Sequence, residues 1–159
     1  MSLVCLSGKT GTMVTDPKFM KNKIYNYMRY YLPVLLWAMV VFLFSSYPTN
    51  QASEIHWQDF AIKKTAHMVE YAVFSILVFR ALVNTGMERT SALKYALLFS
   101  VLYGTTDEYH QSFTPGREPH VRDIIFDTIG ASLATYYIWK LLPKAPPRLK
   151  KWASDFQLI

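Results

Sequence analysis

Residues 30–44 read YYLPVLLWAMVVFLF, fifteen positions without a charge. With its aromatic flanks the run is long enough to cross a hydrocarbon core of roughly 30 Å as a helix. Working outward, the apolar residues gather in three further blocks at about residues 66–83, 92–103 and 124–142. A length of 159 residues suits one domain, but a soluble core would spread its apolar residues more evenly. The expectation is an all-α, polytopic membrane protein: a compact bundle of four short transmembrane helices.

Blocks two and four carry internal charges and block three is short, so a scan by hydropathy alone undercounts them. Short spans with polar ends suit helices that pack together and face a shared hydrated cavity rather than lipid. The competing reading, a soluble helical protein with one anchor, conflicts with where the charges fall. Lys9, Lys18, Lys21, Lys23 and Arg29 precede block one, and Arg80, Arg89 and Lys94 surround the second connection. Lys140, Lys144, Arg148, Lys150 and Lys151 follow block four, whereas the other two connections hold only Lys63, Lys64, Arg117 and Arg122. By the positive-inside rule both termini are cytoplasmic. The acids do the reverse: Glu54, Asp59, Glu70, Asp107, Glu108, Glu118, Asp123 and Asp127 fall on or near the outward side. The net charge of +6 is therefore a topology signal, and no nucleic-acid partner is expected.

This divides the chain into a basic cytoplasmic segment at 1–28, a four-helix membrane domain at 29–142 and a basic cytoplasmic tail at 143–159. The tail, with PKAPPRLKKW, suits attraction to anionic inner-leaflet lipid, with Trp152 as an interfacial plug. Residues before Met20 lack the pattern of a secretory signal, and the leader is expected to be dispensable. Cys5 is the only cysteine, which excludes an intrachain disulfide or a thiol pair. Residues 57–64 alternate aromatic or apolar with polar positions, as a short interfacial helix does.

Charged groups inside a membrane are costly, roughly 2.5–3.5 kcal/mol each at a helix centre on insertion scales, so chains keep them mainly for use. His67, Glu70 and Tyr71 stand at i, i+3 and i+4 on one face of helix two. Asp107 and Gln111 share a face at the end of helix three with Glu108 beside them, and His110 points elsewhere. On helix four, Asp123 and Asp127 are i, i+4, with Asp127 about 6 Å deeper along the axis. Three helices thus bring polar faces to one outward level. Gly130 and Ala134 make a small-xxx-small pair that lets helix four approach a neighbour closely, a packing role. In the connection FTPGREPH, a Pro-Gly turn bends the chain back, and Arg117 offers a fork for a carboxylate or phosphate. Its plainer role is a salt bridge to Glu108 or Asp123.

The spacing HxxxY, DExxQxFxPxR and DxxxxxxG in four short membrane helices resembles the VanZ-like family. It is carried here by His67 and Tyr71; Asp107, Glu108, Gln111, Phe113, Pro115 and Arg117; and Asp123 and Gly130. The DExxQxFxPxR core is the specific part. The chain departs from the family at four places: Lys63 and Lys64 stand where helix two usually opens with Asp-Lys, Asp127 where Asn is usual, a second glycine usual near Ala134 is missing, and Glu70 is an added acid. The resemblance implies a multi-pass protein of the bacterial cytoplasmic membrane, with a link at family level to lower sensitivity to lipoglycopeptides such as teicoplanin. It supplies a phenotype and no reaction.

Chemistry must then come from the site. Asp107, Glu108 and Asp123 cannot all ionise cheaply side by side, so at least one is expected to hold a proton and act as acid or base. Glu108 is the preferred base, with Asp107, His67 and Asp123 as its catalytic companions. Arg117, Gln111, Tyr71, Glu70 and Asp127 form the binding set. The substrate expected is the head group of a membrane lipid or a lipid-linked cell-wall precursor; a lipoglycopeptide is the other partner considered, and the oligomeric state is left open. No cofactor is expected, although one imidazole and several carboxylates also suit a divalent metal such as Mg, Mn or Zn. Two other readings stand beside the enzyme: a binding or transport module for a drug, lipid or ion, and a structural network in which His67, Gln111 and Asp127 hold the helices together.

Overall fold

Each of the four apolar blocks forms a helix, and the first three helices overrun their blocks at both ends. The computed structural model describes residues 17–47, 56–115 and 120–159. Its elements are α1 (Pro17–Ser46), α2 (His56–Asn84), α3 (Arg89–Gln111) and α4 (Val121–Tyr136). A π turn, Tyr137–Leu141, and a 3-10 turn, Leu142–Lys144, continue α4 and lead to a short helix α5 (Pro147–Asp155). Among the described residues there is no strand. The expectations for the leader with Cys5, for Glu54, and for Arg117 and Glu118 lie outside the described residues.

Local chemistry explains the tight turn between α2 and α3. Gly86 takes φ 105°, and the amides of Gly86 and Met87 reach back to Val83 O and Leu82 O, the bonding pattern of a glycine-terminated helix. Glu88 then caps α3: its carboxylate accepts from the Thr90 and Ser91 amides, both at 2.9 Å, and from the Thr90 hydroxyl. Those donors, the Thr90 hydroxyl foremost, hold the Glu88 carboxyl down to about 2. Residues 57–64 are not a separate interfacial helix but the opening turns of α2, which runs unbroken from His56. No residue between Asp59 and His67 breaks a helix, so the amphipathic start and the apolar body fuse.

Tyr31 Oη meets Thr85 Oγ1 at 3.2 Å at one end of the bundle, and Ser45 Oγ meets Asp107 Oδ2 at 2.6 Å at the other. Consecutive helices are therefore antiparallel, while α2 and α4 run parallel. Between those ends, Trp37 Nε1 donates to Glu70 O at 2.9 Å and Tyr103 Oη to Ala38 O at 2.6 Å. The apolar core, built on Phe74, Val78, Phe79, Leu82, Ala96 and Ile138, occupies the half nearer the α2–α3 turn. Ala153 and Leu158 of the tail belong to that core. The tail is held there by Arg80 to Phe156 O (2.8 Å), Asn84 to Gln157 O (2.9 Å) and Arg89 to Leu158 O (2.8 Å). Residues read as a free membrane anchor thus fold back onto the bundle.

The distribution of polarity is the reverse of a soluble protein's. Leu35, Leu36 and Met39 on α1, Leu98, Phe99 and Leu102 on α3, and Ile125, Ile129 and Leu133 on α4 are exposed. Asp107, Glu108, Gln111, Asp123 and Asp127 are buried. Buried polar groups and exposed apolar surface are the informative departures from ordinary globular burial. By length and composition Ile24–Ser46 and His56–Asn84 can each cross a membrane, while α3 and α4 do not pass the same measure. The chain is a helical membrane protein.

Candidate functional site

The site forms where two parallel helices match register. On α2, Lys64, His67 and Tyr71 follow at i, i+3 and i+7; on α4, Asp123, Asp127 and Gly130 follow at i, i+4 and i+7, so each set forms one stripe. Lys64 Nζ donates to Asp123 Oδ1 at 2.5 Å, and His67 Nδ1 lies 3.0 Å from Asp127 Oδ1. One turn further on, a Cβ at Gly130 would come to 2.1 Å from Met68 O, so the backbones touch. The packing role read for Gly130 is what the geometry displays, and Ala134 is buried beyond it.

Helix α3 supplies the third wall. Ser100, Gly104, Asp107, Glu108 and Gln111 are its buried small and polar residues, spaced by three or four except for the adjacent acids. Asp107 Oδ2 accepts from Ser45 Oγ (2.6 Å) and from Gln111 Nε2 (3.0 Å), which itself sits 3.1 Å from Ser45 Oγ. Glu108 Oε2 accepts from the His120 amide at 3.1 Å, which ties the end of α3 to the start of α4. Gly104 opens the space between them: a Cβ there would lie 3.2 Å from Asp127 Oδ2 and 3.3 Å from Tyr71 Cε1. Tyr71 and Asp127 therefore converge over the bare backbone of α3.

Four buried polar atoms of this cluster have no hydrogen-bond partner among the described residues: Tyr71 Oη, Asp107 Oδ1, Glu108 Oε1 and Asp127 Oδ2. An orphaned buried acceptor costs on the order of 1–3 kcal/mol, and more if charged. Among the described residues, the four carboxylates of Asp107, Glu108, Asp123 and Asp127 face Lys64, His67 and, 4.0 Å from Asp123, Arg122, so there they outnumber the cations that meet them. The cluster can accept protons, donors or a cationic group. Among the described residues, no three His, Cys, Asp or Glu side chains are grouped so as to hold a metal ion.

Of the residues read from the sequence, His67, Tyr71, Asp107, Glu108, Gln111, Asp123 and Asp127 stand at this end of the bundle. Glu70 is half-buried on α2, near enough for its charge to act on His67. His110 turns away and stacks on Phe42, ring centroids 4.3 Å apart. Arg117 lies outside the described residues. Three participants were missed. Lys64 carried a signal, since it precedes His67 by one helical turn; Gly104 and Ser45 carried none, because only tertiary packing brings them to Asp127 and Asp107. Gln111 bonds to Asp107 and Ser45 rather than joining His67 and Asp127.

The VanZ/LLP1 family pattern matches residues 30–143, from the start of the apolar part of α1 into the 3-10 turn. The chain belongs to the VanZ/LLP1 family. That match contains every residue of the cluster, including Ser45, Lys64 and Gly104. Neither a curated protein nor a solved structure matches the chain.

Proposed function

We propose that this VanZ/LLP1 protein spans the bacterial cytoplasmic membrane four times, with both termini in the cytoplasm. We further propose that its outward cluster acts on the head group of a lipid or lipid-linked envelope precursor. The exposed apolar stripes of α3 and α4 support the two additional spans, and the basic residues around the α2–α3 turn and the tail support the orientation. The family link to teicoplanin sensitivity fits a change made to outer-leaflet components.

The observation that carries the functional reading is the set of orphaned atoms. A structural network would satisfy both oxygens of each carboxylate, yet Asp107, Glu108 and Asp127 each keep one buried oxygen free of any partner among the described residues. Glu108 is the base in this reading. Its Oε2 is fixed by the His120 amide, which leaves Oε1 to take or give a proton. His67, held by Asp127, relays the proton, and Lys64 keeps Asp123 in place. Arg117 grips the anionic part of the head group, while Gln111, Tyr71, Glu70 and Asp127 orient the remainder. A divalent metal is tested in the same assay by adding a chelator.

Purified protein and its Glu108→Gln variant are incubated with bacterial membrane lipids, and the lipid species are compared by mass spectrometry. A species altered by wild type and unaltered by the folded variant is the expected result. If wild type alters nothing while a lipid or drug co-purifies with it, the enzyme reading fails and a binding module takes its place.

A further inference from the structure

A second candidate site lies at the opposite end of the bundle, where the tail docks. There a cavity of about 520 Å³ is walled by apolar side chains, among them Ile76, Leu77, Ile138, Leu142, Leu149 and Trp152. This volume lies within the roughly 300–1,000 Å³ usual for small-molecule pockets. Two departures from regular helix border it. Pro33 lines it from within α1, where its ring removes a backbone donor. The π turn Tyr137–Leu141 contributes Tyr137 and Ile138 to the wall; π turns inside helices often mark functional sites. Helix α5 closes the cavity with Leu149, Trp152 and Ala153, joined by Phe156 just beyond its end, while its other faces carry Arg148, Lys150 and Lys151.

The charged residues of the wall are Arg80 and Asp155, and the elements around it add Lys140, Lys144, Arg148, Lys150 and Lys151. Arg80, on its rim, donates to Phe156 O and Gln157 Oε1. Arg89 donates to the carbonyls of Leu158 and Ile138. Among the described residues none of Arg80, Arg89, Lys140, Lys144, Arg148, Lys150 and Lys151 has a carboxylate partner. Among the described residues the acids at this end are Glu88, which caps α3, and Asp155, which lines the cavity. An occupant must therefore join an apolar chain to an anionic head. We propose that this cavity is a binding site for one anionic phospholipid of the adjoining leaflet, its acyl chain between α2, the π turn and α5, its phosphate among the tail cations. Basic pockets between membrane helices are known to take such head groups.

The test uses the full chain, stripped of lipid in detergent and re-exposed to either phosphatidylglycerol or phosphatidylcholine of the same acyl composition. Retained phospholipid is counted by native mass spectrometry. One phosphatidylglycerol per chain is expected, with at least fivefold preference over phosphatidylcholine. Leu77→Trp and Leu149→Trp fill the cavity from different helices, and either one, if still helical by circular dichroism, is expected to lower retention at least fivefold. Retention without headgroup preference, retention unchanged in a folded filled variant, or a co-purifying polypeptide in place of lipid overturns the proposal. Glu108→Gln is expected to retain the lipid as wild type does, so failure of the outward-site reading leaves this result standing.

Discussion

Substituting Gly130 by alanine tests whether the contact between α2 and α4 sets the geometry of the polar cluster. The new Cβ would stand 2.1 Å from Met68 O and 2.7 Å from Met68 Cα, whereas ordinary contact begins at 3.4 Å. Relief by separation alone requires a shift of about 3.4 − 2.1 = 1.3 Å, because both sides of the clash are backbone and neither can rotate away. A shift of that size would stretch the 3.0 Å contact of His67 with Asp127 beyond hydrogen-bonding distance. We expect a loss of about 3 kcal/mol, the upper end for overpacking, with little help from alanine's better helix propensity. Reversible unfolding in mixed detergent micelles, followed by circular dichroism, measures it. Half-buried Ser132→Ala on the same helix serves as the control, expected within about 0.5 kcal/mol of wild type. A Gly130→Ala protein as stable as that control would refute the claim that this contact fixes the register of the site.

Lys64→Met removes the close cation of buried Asp123, leaving Arg122 at 4.0 Å, and should cost up to about 3–5 kcal/mol, while the double change with Asp123→Asn should recover much of that in the same assay. An equal loss in the single and double variants would contradict a direct pairing. The pH dependence of stability includes a contribution from Glu88. Its folded value, about 2, lies below that of a free carboxyl, so its cap is complete above the ordinary carboxylate range and is lost as the pH falls from there toward 2. Glu88→Gln should flatten that limb of the stability-pH curve; an unchanged limb would show that the cap does not titrate as the geometry requires.

The four helices and most of the cluster were legible because a membrane chain keeps few acids in its apolar segments, and helical spacing assigns each a face. His67, Asp107, Glu108, Asp123 and Asp127 were found in that way. The start of α2 was misread because an amphipathic run looks the same whether it stops at Lys64 or continues into the next helix. Ser45 was invisible since a serine near the end of an apolar run has no period of its own; its role comes from the pairing of α1 with α3. The docked tail escaped notice because its basic residues dominate the sequence pattern, while Ala153 and Leu158, which bury it, are small in number. The π turn has no local signature in YIWKL.

The pairing of α2 with α4 has a consequence for how the protein is made. Lys64 and Asp123 are 59 residues apart in the chain, so the lysine leaves the ribosome well before its partner. At roughly 5–20 residues per second, the interval is about 3–12 s. During it α2 carries an unneutralised lysine beside His67, and α3 arrives with two acids of its own. The Lys64–Asp123 pair can form only after the fourth helix has emerged. Biogenesis of this small bundle is thus governed by its fourth helix.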